Sequence, residues 1–225
     1  MKNRFSIGLI LSLSAAVVAC SNEPSVTTDE KAQTEVVTTA EVTTPVAEEV
    51  VPEEAANLKP FLADAAALQK AEDTLNALPQ FEGKPLSAFQ NVNFYDGEGS
   101  TARIEVDIQD PNNEKNVDHY TYDADTGTWS EPQPVQISGD GDMSGNLTPL
   151  TDMKFADIAN VVIPMWHEKA AVESFEPNEA SPSLVTMALF VPNQDRFWQT
   201  SMENERSSYF LRVNLDGSLK SFKKN

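Results

Sequence analysis

The sequence is poor in cysteine, histidine and basic residues, and each shortage excludes a class of function. One cysteine, Cys20, in 225 residues leaves no disulfide possible within the chain. The two histidines, His119 and His167, lack the His-x-x-x-His or paired-cysteine spacing that forms the core of a zinc site. Sixteen basic residues against 35 acidic ones give a formal charge of −19, which excludes binding of nucleic acid through its phosphates.

Motifs for phosphate binding and nucleophilic catalysis are missing as well. The chain has only nine glycines and contains neither Gly-x-x-x-x-Gly-Lys nor Gly-x-Gly-x-x-Gly, and it has no Gly-x-Ser-x-Gly elbow. Paired carboxylates are common in so acidic a chain and therefore do not mark a catalytic pair. The sequence predicts no catalytic residue and no cofactor, and it favours a binding protein over an enzyme.

The N-terminus combines a short basic region with one apolar run. Lys2 and Arg4 precede Ile7–Val18, whose twelve residues fall short of the roughly 20 that a membrane span needs. The run ends in Val17-Val18-Ala19-Cys20, which resembles the signal of bacterial lipoproteins, where a peptidase cuts before an obligatory cysteine. The resemblance implies that residues 1–19 are a signal peptide and that Cys20 carries acyl chains, several of which anchor a protein stably.

The residue after the cysteine bears on localisation. Ser21 stands where an Asp would favour retention in the inner membrane under the enteric-type sorting rule. The resemblance therefore implies lipid anchoring in the outer membrane of a bacterial envelope, with the folded part facing the periplasm. The alternative is a secretory signal followed by an incidental buried cysteine.

Residues 20–57 have the composition of a tether. From residue 21 they contain no aromatic residue, no Leu and no Ile, and they carry nine acids against one lysine. Such a segment cannot bury enough apolar surface to offset its chain entropy, so we expect a disordered acidic tether. A coil of this length measures roughly 30–35 Å from end to end.

Residues 58–225 are predicted to form one α+β domain with two similar halves, 58–137 and 151–225, joined by a Gly/Asp linker. The apolar period predicts a helix from Phe61 to Leu78 and a second after Asp152, with Val172 and Phe175 on its stripe and Pro164 kinking or splitting it. Period-two alternation predicts strands near residues 92–95, 102–108, 117–123, 127–136, 183–191, 196–203 and 209–215, and a last one reaching Phe222. Each half thus has a helix and a four-stranded antiparallel sheet.

The halves are related by an offset of 90 residues, which places Gly127 on Gly217 and suggests an internal duplication. The order of elements and the hairpin Tyr122-Asp123-Ala124-Asp125-Thr126-Gly127 resemble tandem PepSY-type domains and β-lactamase inhibitory protein-like repeats. Those families mostly bind proteins or inhibit hydrolases, so the resemblance implies recognition. The disulfides of the inhibitor proteins have no counterpart here. Two ordinary α+β patterns that agree by coincidence are the alternative.

The linker contains a fragment of a calcium-loop pattern. Asp140, Asp142 and Ser144 stand at positions 1, 3 and 5 and Gly145 at position 6, but position 12 is Thr151 instead of Glu. The missing bidentate ligand favours a flexible linker over a weak calcium site.

Aromatic and arginine side chains on the strands are the candidates for binding a partner. Phe210 and Arg212 alternate with Tyr209, Leu211 and Val213, so they point away from the helices if those residues point toward them. Tyr120 and Tyr122 are expected to join them on an exposed sheet surface, together with Trp129 and Trp198; packing in the core is the alternative.

These features predict a lipoprotein with a non-catalytic domain that binds an envelope protein or another envelope component. An inhibitor or chaperone of a periplasmic hydrolase, and a hydrolase of unknown type, are the alternatives.

Overall fold

The structure, a computed structural model, describes residues 59–81, 83–97, 100–138 and 143–225. The predictions about the signal peptide, Cys20, the tether and the pair Asp140 and Asp142 concern residues outside these ranges. The described residues all belong to one compact unit.

The described strands form one large antiparallel sheet. They are β1 (Ser87–Gly97), β2 (Ser100–Gln109), β3 (Val117–Asp123), β4 (Thr128–Trp129), β5 (Gln133–Pro134), β6 (Leu147–Pro149), β7 (Leu184–Phe190), β8 (Asp195–Asn204), β9 (Ser207–Asn214) and β10 (Leu219–Lys224). Their order in space is β10-β9-β8-β7-β1-β2-β3-β4, with β5 paired to β3 and β6 paired to β1. The prediction of an antiparallel sheet accompanied by few helices is confirmed at this level.

A single antiparallel pair joins the strands of the two halves of the chain. In the register of β1 and β7, Val92 faces Met187 and Phe94 faces Val185. β6, which lies between the halves, also pairs with β1, and the remaining pairs lie within one half. The described domain therefore has one continuous sheet where the sequence suggested two four-stranded ones.

The first helix is shorter than predicted. A 3-10 turn covers Phe61–Ala63, and α1 covers Ala65–Asn76. Asp64 interrupts them because its extended backbone lets its carboxylate accept the N–H groups of Ala66 and Ala67, which caps α1.

The second helix is split at its proline, as the sequence predicts. A π-helical segment, Ile158–Val162, runs into α2, Ile163–Val172, with Pro164 in the first turn of α2. Proline has no N–H and its ring crowds the carbonyl four residues earlier, so a regular α-helix cannot pass through it. The placement of Val172 on the apolar stripe is wrong, because this side chain is 71% exposed at the end of α2.

The region 127–136 forms two strands of two residues each instead of one long strand. Pro132 and Pro134 lack the N–H that a ladder needs, which limits pairing here.

Both helices pack on the same face of the sheet. Phe94, at the centre of the sheet, is fully buried, and its ring contacts those of Phe155 and Trp198 at centroid distances of 4.9 and 5.9 Å. The indole N–H groups of Trp129 and Trp166 donate to the carbonyls of Ala71 and Ser201, each at 3.0 Å. These contacts fix the helical layer on one side of the sheet, and no described helix packs on the other side.

Candidate functional site

The face of the sheet opposite the helices, hereafter the open face, crosses both halves of the domain. Its central row contains one residue from each of seven neighbouring strands, all in direct register: Thr121, Glu105, Asn93, Thr186, Gln199, Arg212 and Ser221. These side chains are half-buried or exposed, whereas the residues that alternate with them along the strands are mostly buried. The open face is therefore a polar surface about seven strands wide, roughly 30 Å at the usual strand spacing.

On β1 and β2 the open face carries an aromatic and charged cluster. The Arg103 guanidinium lies 3.9 Å from the centre of the Tyr95 ring, and its Nε donates to Glu105 at 2.8 Å. Burial raises the pKa of the Tyr95 phenol, and the neighbouring Glu105 carboxylate raises it further. The three side chains hold one another in place above the sheet.

Beside this cluster the structure brings together an acid, a histidine and a hydroxyl. His119 Nδ1 lies 2.7 Å from Asp107 Oδ1, and His119 Nε2 lies 3.2 Å from Thr121 Oγ1. The order resembles that of a catalytic triad. However, neither of two small cavities in the described part of the chain is lined by these residues, and the backbone N–H of Thr121 joins Ser130 Oγ to the same group. We therefore regard the three as a polar network that orders β2 and β3.

On β8, β9 and β10 the open face is aromatic and basic. Phe197 is buried beneath two cations, with Arg212 5.0 Å and Lys220 5.4 Å from the centre of its ring. Arg212 Nε also donates to Gln199 Oε1 at 2.9 Å, and Lys220 Nζ lies 2.8 Å from Asp195. The surface formed by Phe197, Phe210, Arg212, Lys220 and Lys223 is named here the Phe210 patch.

The structure places the predicted partner-binding residues on opposite faces. Phe210 is 38% exposed, and Arg212 is exposed beside it on the open face. Tyr120 and Tyr122 are each only 2% exposed, so their predicted place on the surface is wrong. They stand opposite Val106 and Ile104 of β2, which face the helices.

The alternation of residues along β3 indicates that Tyr120 and Tyr122 are buried. Tyr120 and Tyr122 alternate with the polar residues His119 and Thr121, a pattern in which the aromatic residues are the inward set. Tyr122 packs between the rings of Phe61 and Trp129. His167 lies on α2 and is exposed.

Two small cavities among the described residues lie away from the centre of the open face. One, of about 230 Å³, lies beside Trp166, Glu179 and Glu203. The other, of about 160 Å³, lies beside Tyr120, Asp110 and Asp118. Burial raises the pKa of Asp118, and the nearby Asp110 carboxylate raises it further. Both cavities are smaller than the pockets that usually hold a drug-sized ligand.

Two further searches concern the same described residues. They contain no group of three or more His, Cys, Asp or Glu side chains placed to hold a metal ion. None of their helices combines the length and apolar character that crossing a membrane demands.

Comparison with known proteins gives one weak match. No protein-family model matches the chain, and no curated protein sequence matches it. A solved structure of a "putative lipoprotein" from Clostridium difficile is similar over 68% of this chain and 91% of that one, at 12% identity and a TM-score of 0.41. Both values are too low for the match to assign a fold or a function to this chain.

Proposed function

We propose that this chain is a lipoprotein of the bacterial outer membrane, facing the periplasm, whose sheet binds an envelope protein or another envelope component without catalysis. The observation that supports the binding role is the open face, which no helix of the described residues covers across seven strands, while the opposite face holds the core. An antiparallel sheet with only one face packed against the core presents its other face to solvent.

The Phe210 patch is the part of the open face best suited to hold a partner. It combines an exposed ring, Phe210, with an exposed guanidinium, Arg212. Arginine and aromatic side chains are enriched where binding energy is concentrated, since they bury large areas and make several hydrogen bonds. The contact of Arg212 with Gln199 holds the guanidinium in place before binding, which lowers the entropy cost of association.

The lipid anchor is supported by the sequence at Cys20, and mass analysis of the native product tests it. We expect a mature chain that begins at Cys20 and carries acyl chains. A product that retains residues 1–19 or has an unmodified thiol contradicts the anchor.

Capture from detergent-solubilised envelope tests the binding role. We expect the acylated chain to recover a defined partner and the variants Phe210→Ala and Arg212→Glu to recover much less. The matched controls are Val172→Ala and Lys154→Glu, which make comparable changes at exposed positions in the helical layer. Equal recovery by all four variants would contradict binding through the Phe210 patch.

We also infer that the two halves of the domain arose by duplication. The sheet order is consistent with this, since β1, β2, β3 and β4 run outward from the centre on one side and β7, β8, β9 and β10 do so on the other. The offset of 90 residues relates Gly127 to Gly217, which lie in the β3–β4 and β9–β10 turns with φ of +69° and +87°. An experimental structure in which the halves superpose poorly contradicts the inference.

A further inference from the structure

The two outer edges of the sheet are protected very differently. At one edge, β4 and β5 have two residues each, and Pro132 and Pro134 lie in this stretch. Short strands and prolines are common devices that prevent another chain from pairing with a sheet. At the other edge, β10 is six residues long and contains no proline.

The backbone of β10 offers hydrogen-bonding groups on its outer side. The Asn225 N–H donates to the Ser208 carbonyl of β9, and the register of the pair places Lys223 opposite Phe210. Because hydrogen-bonded positions alternate along an antiparallel strand, the N–H and C=O groups of Phe222 and Lys224 point away from β9. Among the described residues, no strand pairs with this outer side of β10.

All ionisable side chains of β10 are basic, in a chain whose formal charge is −19. Lys220 is neutralised by Asp195 at 2.8 Å. Lys223 and Lys224 are exposed, and within the described ranges no carboxylate forms an ion pair with either of them. The two ammonium groups at the end of this outer strand can therefore attract a negatively charged partner.

Apolar side chains lie next to these lysines on both faces of the sheet. On the helix face, Phe222 stacks on Tyr209 with a centroid distance of 4.9 Å and an angle of 8° between the rings. On the open face, Phe210 stands beside Lys223. Leu219, at the start of the strand, is 44% exposed and lies opposite Val213 on the helix face. An added strand would thus find apolar surface for some of its side chains and positive charge for others.

We propose that the outer edge of β10 binds an extended acidic polypeptide segment of a partner protein, which pairs with it as an additional strand. Addition of a strand to a free sheet edge is a recurrent mode of peptide recognition, in which main-chain hydrogen bonds give affinity and side chains give selectivity. Edge lysines repel a second copy of the same basic edge. The same lysines attract an acidic strand, so they admit one class of partner and exclude self-association. The proposal rests on the proposed function in taking the partner to be a protein.

Peptide binding to the full mature chain tests the proposal. The probe is an acidic peptide of about eight residues, enough to span β10, in which Glu alternates with Val and Thr. One control peptide has Lys at each Glu position. A second keeps the Glu residues but has Pro at alternate positions, which removes the backbone donors of one edge. We expect the acidic peptide alone to bind in fluorescence anisotropy, more weakly as salt is raised.

Variants of the protein locate the site. Lys223→Glu is expected to weaken binding of the acidic peptide by about tenfold, because it replaces an attraction with a repulsion. The matched control Lys115→Glu makes the same charge change at an exposed position in the β2–β3 loop and is expected to leave binding unchanged. Lys224→Pro, which removes an outward N–H, is expected to weaken binding more than Lys224→Ala does.

Hydrogen exchange distinguishes main-chain pairing from attraction between charges alone. Bound acidic peptide is expected to slow exchange of the Phe222 and Lys224 amides, which point outward. Equal binding by the Pro-containing peptide, or an unchanged affinity in Lys223→Glu, would overturn the edge site. If the acidic peptide fails to bind while capture from the envelope still depends on Phe210 and Arg212, the edge site is overturned and the open-face function stands.

Discussion

Phe210 is an exposed aromatic ring that lies beside Arg212 on the open face. Because the ring is exposed, its contribution to folding differs from that of the core rings. It is 38% exposed, whereas Phe94 is fully buried between Phe155 and Trp198. Truncation of a ring in the core removes its transfer free energy and leaves a cavity as well. Truncation of a ring at the surface removes only part of the transfer free energy.

We therefore expect Phe210→Ala to lower the free energy of unfolding by about 1 kcal/mol and Phe94→Ala to lower it by about 3–5 kcal/mol. Urea unfolding of both variants measures the difference. A loss of several kcal/mol in Phe210→Ala would show that the ring belongs to the core and is not available to a partner.

Glu72 is a half-buried carboxyl that joins α1 to the segment before α2. Its Oε2 accepts the N–H of Phe155 at 2.8 Å. Burial raises the pKa of Glu72 above its ordinary value of 4.5, against the opposing effect of the Phe155 hydrogen bond. The folded state therefore binds this proton more tightly than the unfolded state, and stability falls as the pH rises from about 4.5 through the raised pKa.

Glu72→Gln retains an oxygen that can accept the Phe155 N–H and removes the titration. We expect the wild-type protein to lose stability relative to Glu72→Gln as the pH rises through this window. Urea unfolding of both proteins between pH 4 and pH 7 measures the effect. Asp118, whose pKa burial also raises, titrates in both proteins and so cancels in the comparison. If the difference in free energy of unfolding between the two proteins stays constant from pH 4 to pH 7, the raised pKa of Glu72 is contradicted.

At the scale of elements, the turns and hairpins were predicted well and the helix ends were not. Gly127 and Gly217 were identified as turn positions, and both have positive φ in hairpin turns. The break at Asp64 depends on a side chain that caps the helix instead of continuing it, and the apolar period of the sequence does not show this.

Gly217 tests the importance of a hairpin turn. A Cβ at this position would meet Val161 only at ordinary van der Waals distance, 3.5 Å, so the cost of a side chain comes from φ of +87°. We expect Gly217→Ala to destabilise the protein by about 1–2 kcal/mol and Gly217→Asn to cost less, because Asn tolerates the left-handed region. Thermal unfolding compares the two. Equal stability of Gly217→Ala and the wild-type protein would show that the β9–β10 turn can adopt another conformation.

At the scale of the whole molecule, the strand content was predictable, whereas the pairing that unites the halves was not. Alternation along a strand is visible in sequence, but β1 and β7 are about 90 residues apart and no local pattern records that Phe94 faces Val185. The face on which the helices pack also depends on this assembly. Phe210 and Arg212 lie on the open face, as the alternation predicts. Tyr120 and Tyr122 face the helices, and their predicted place on the exposed face is wrong because the sequence does not show which face of β3 the helices cover.

The distribution of charge follows the same sheet. On the open face, Glu105 and Asp107 lie on β2, and Arg212, Lys220 and Lys223 lie on β9 and β10. Arg103 pairs with Glu105 on β2, and Asp195 pairs with Lys220, so the positive charge of this face is concentrated at Arg212 and Lys223. An acidic region of a partner would therefore dock at the β9–β10 end.

The most direct test of the central claim, that the open face binds an envelope partner, is site-specific photo-crosslinking in intact cells. A photoreactive phenylalanine analogue replaces Phe210 on the open face or His167, an exposed residue of α2 on the opposite side of the domain. The account predicts a discrete adduct from position 210 and none of that mass from position 167. The same adduct from position 167 only, or no adduct from position 210 in a chain that is acylated and folded, would contradict it.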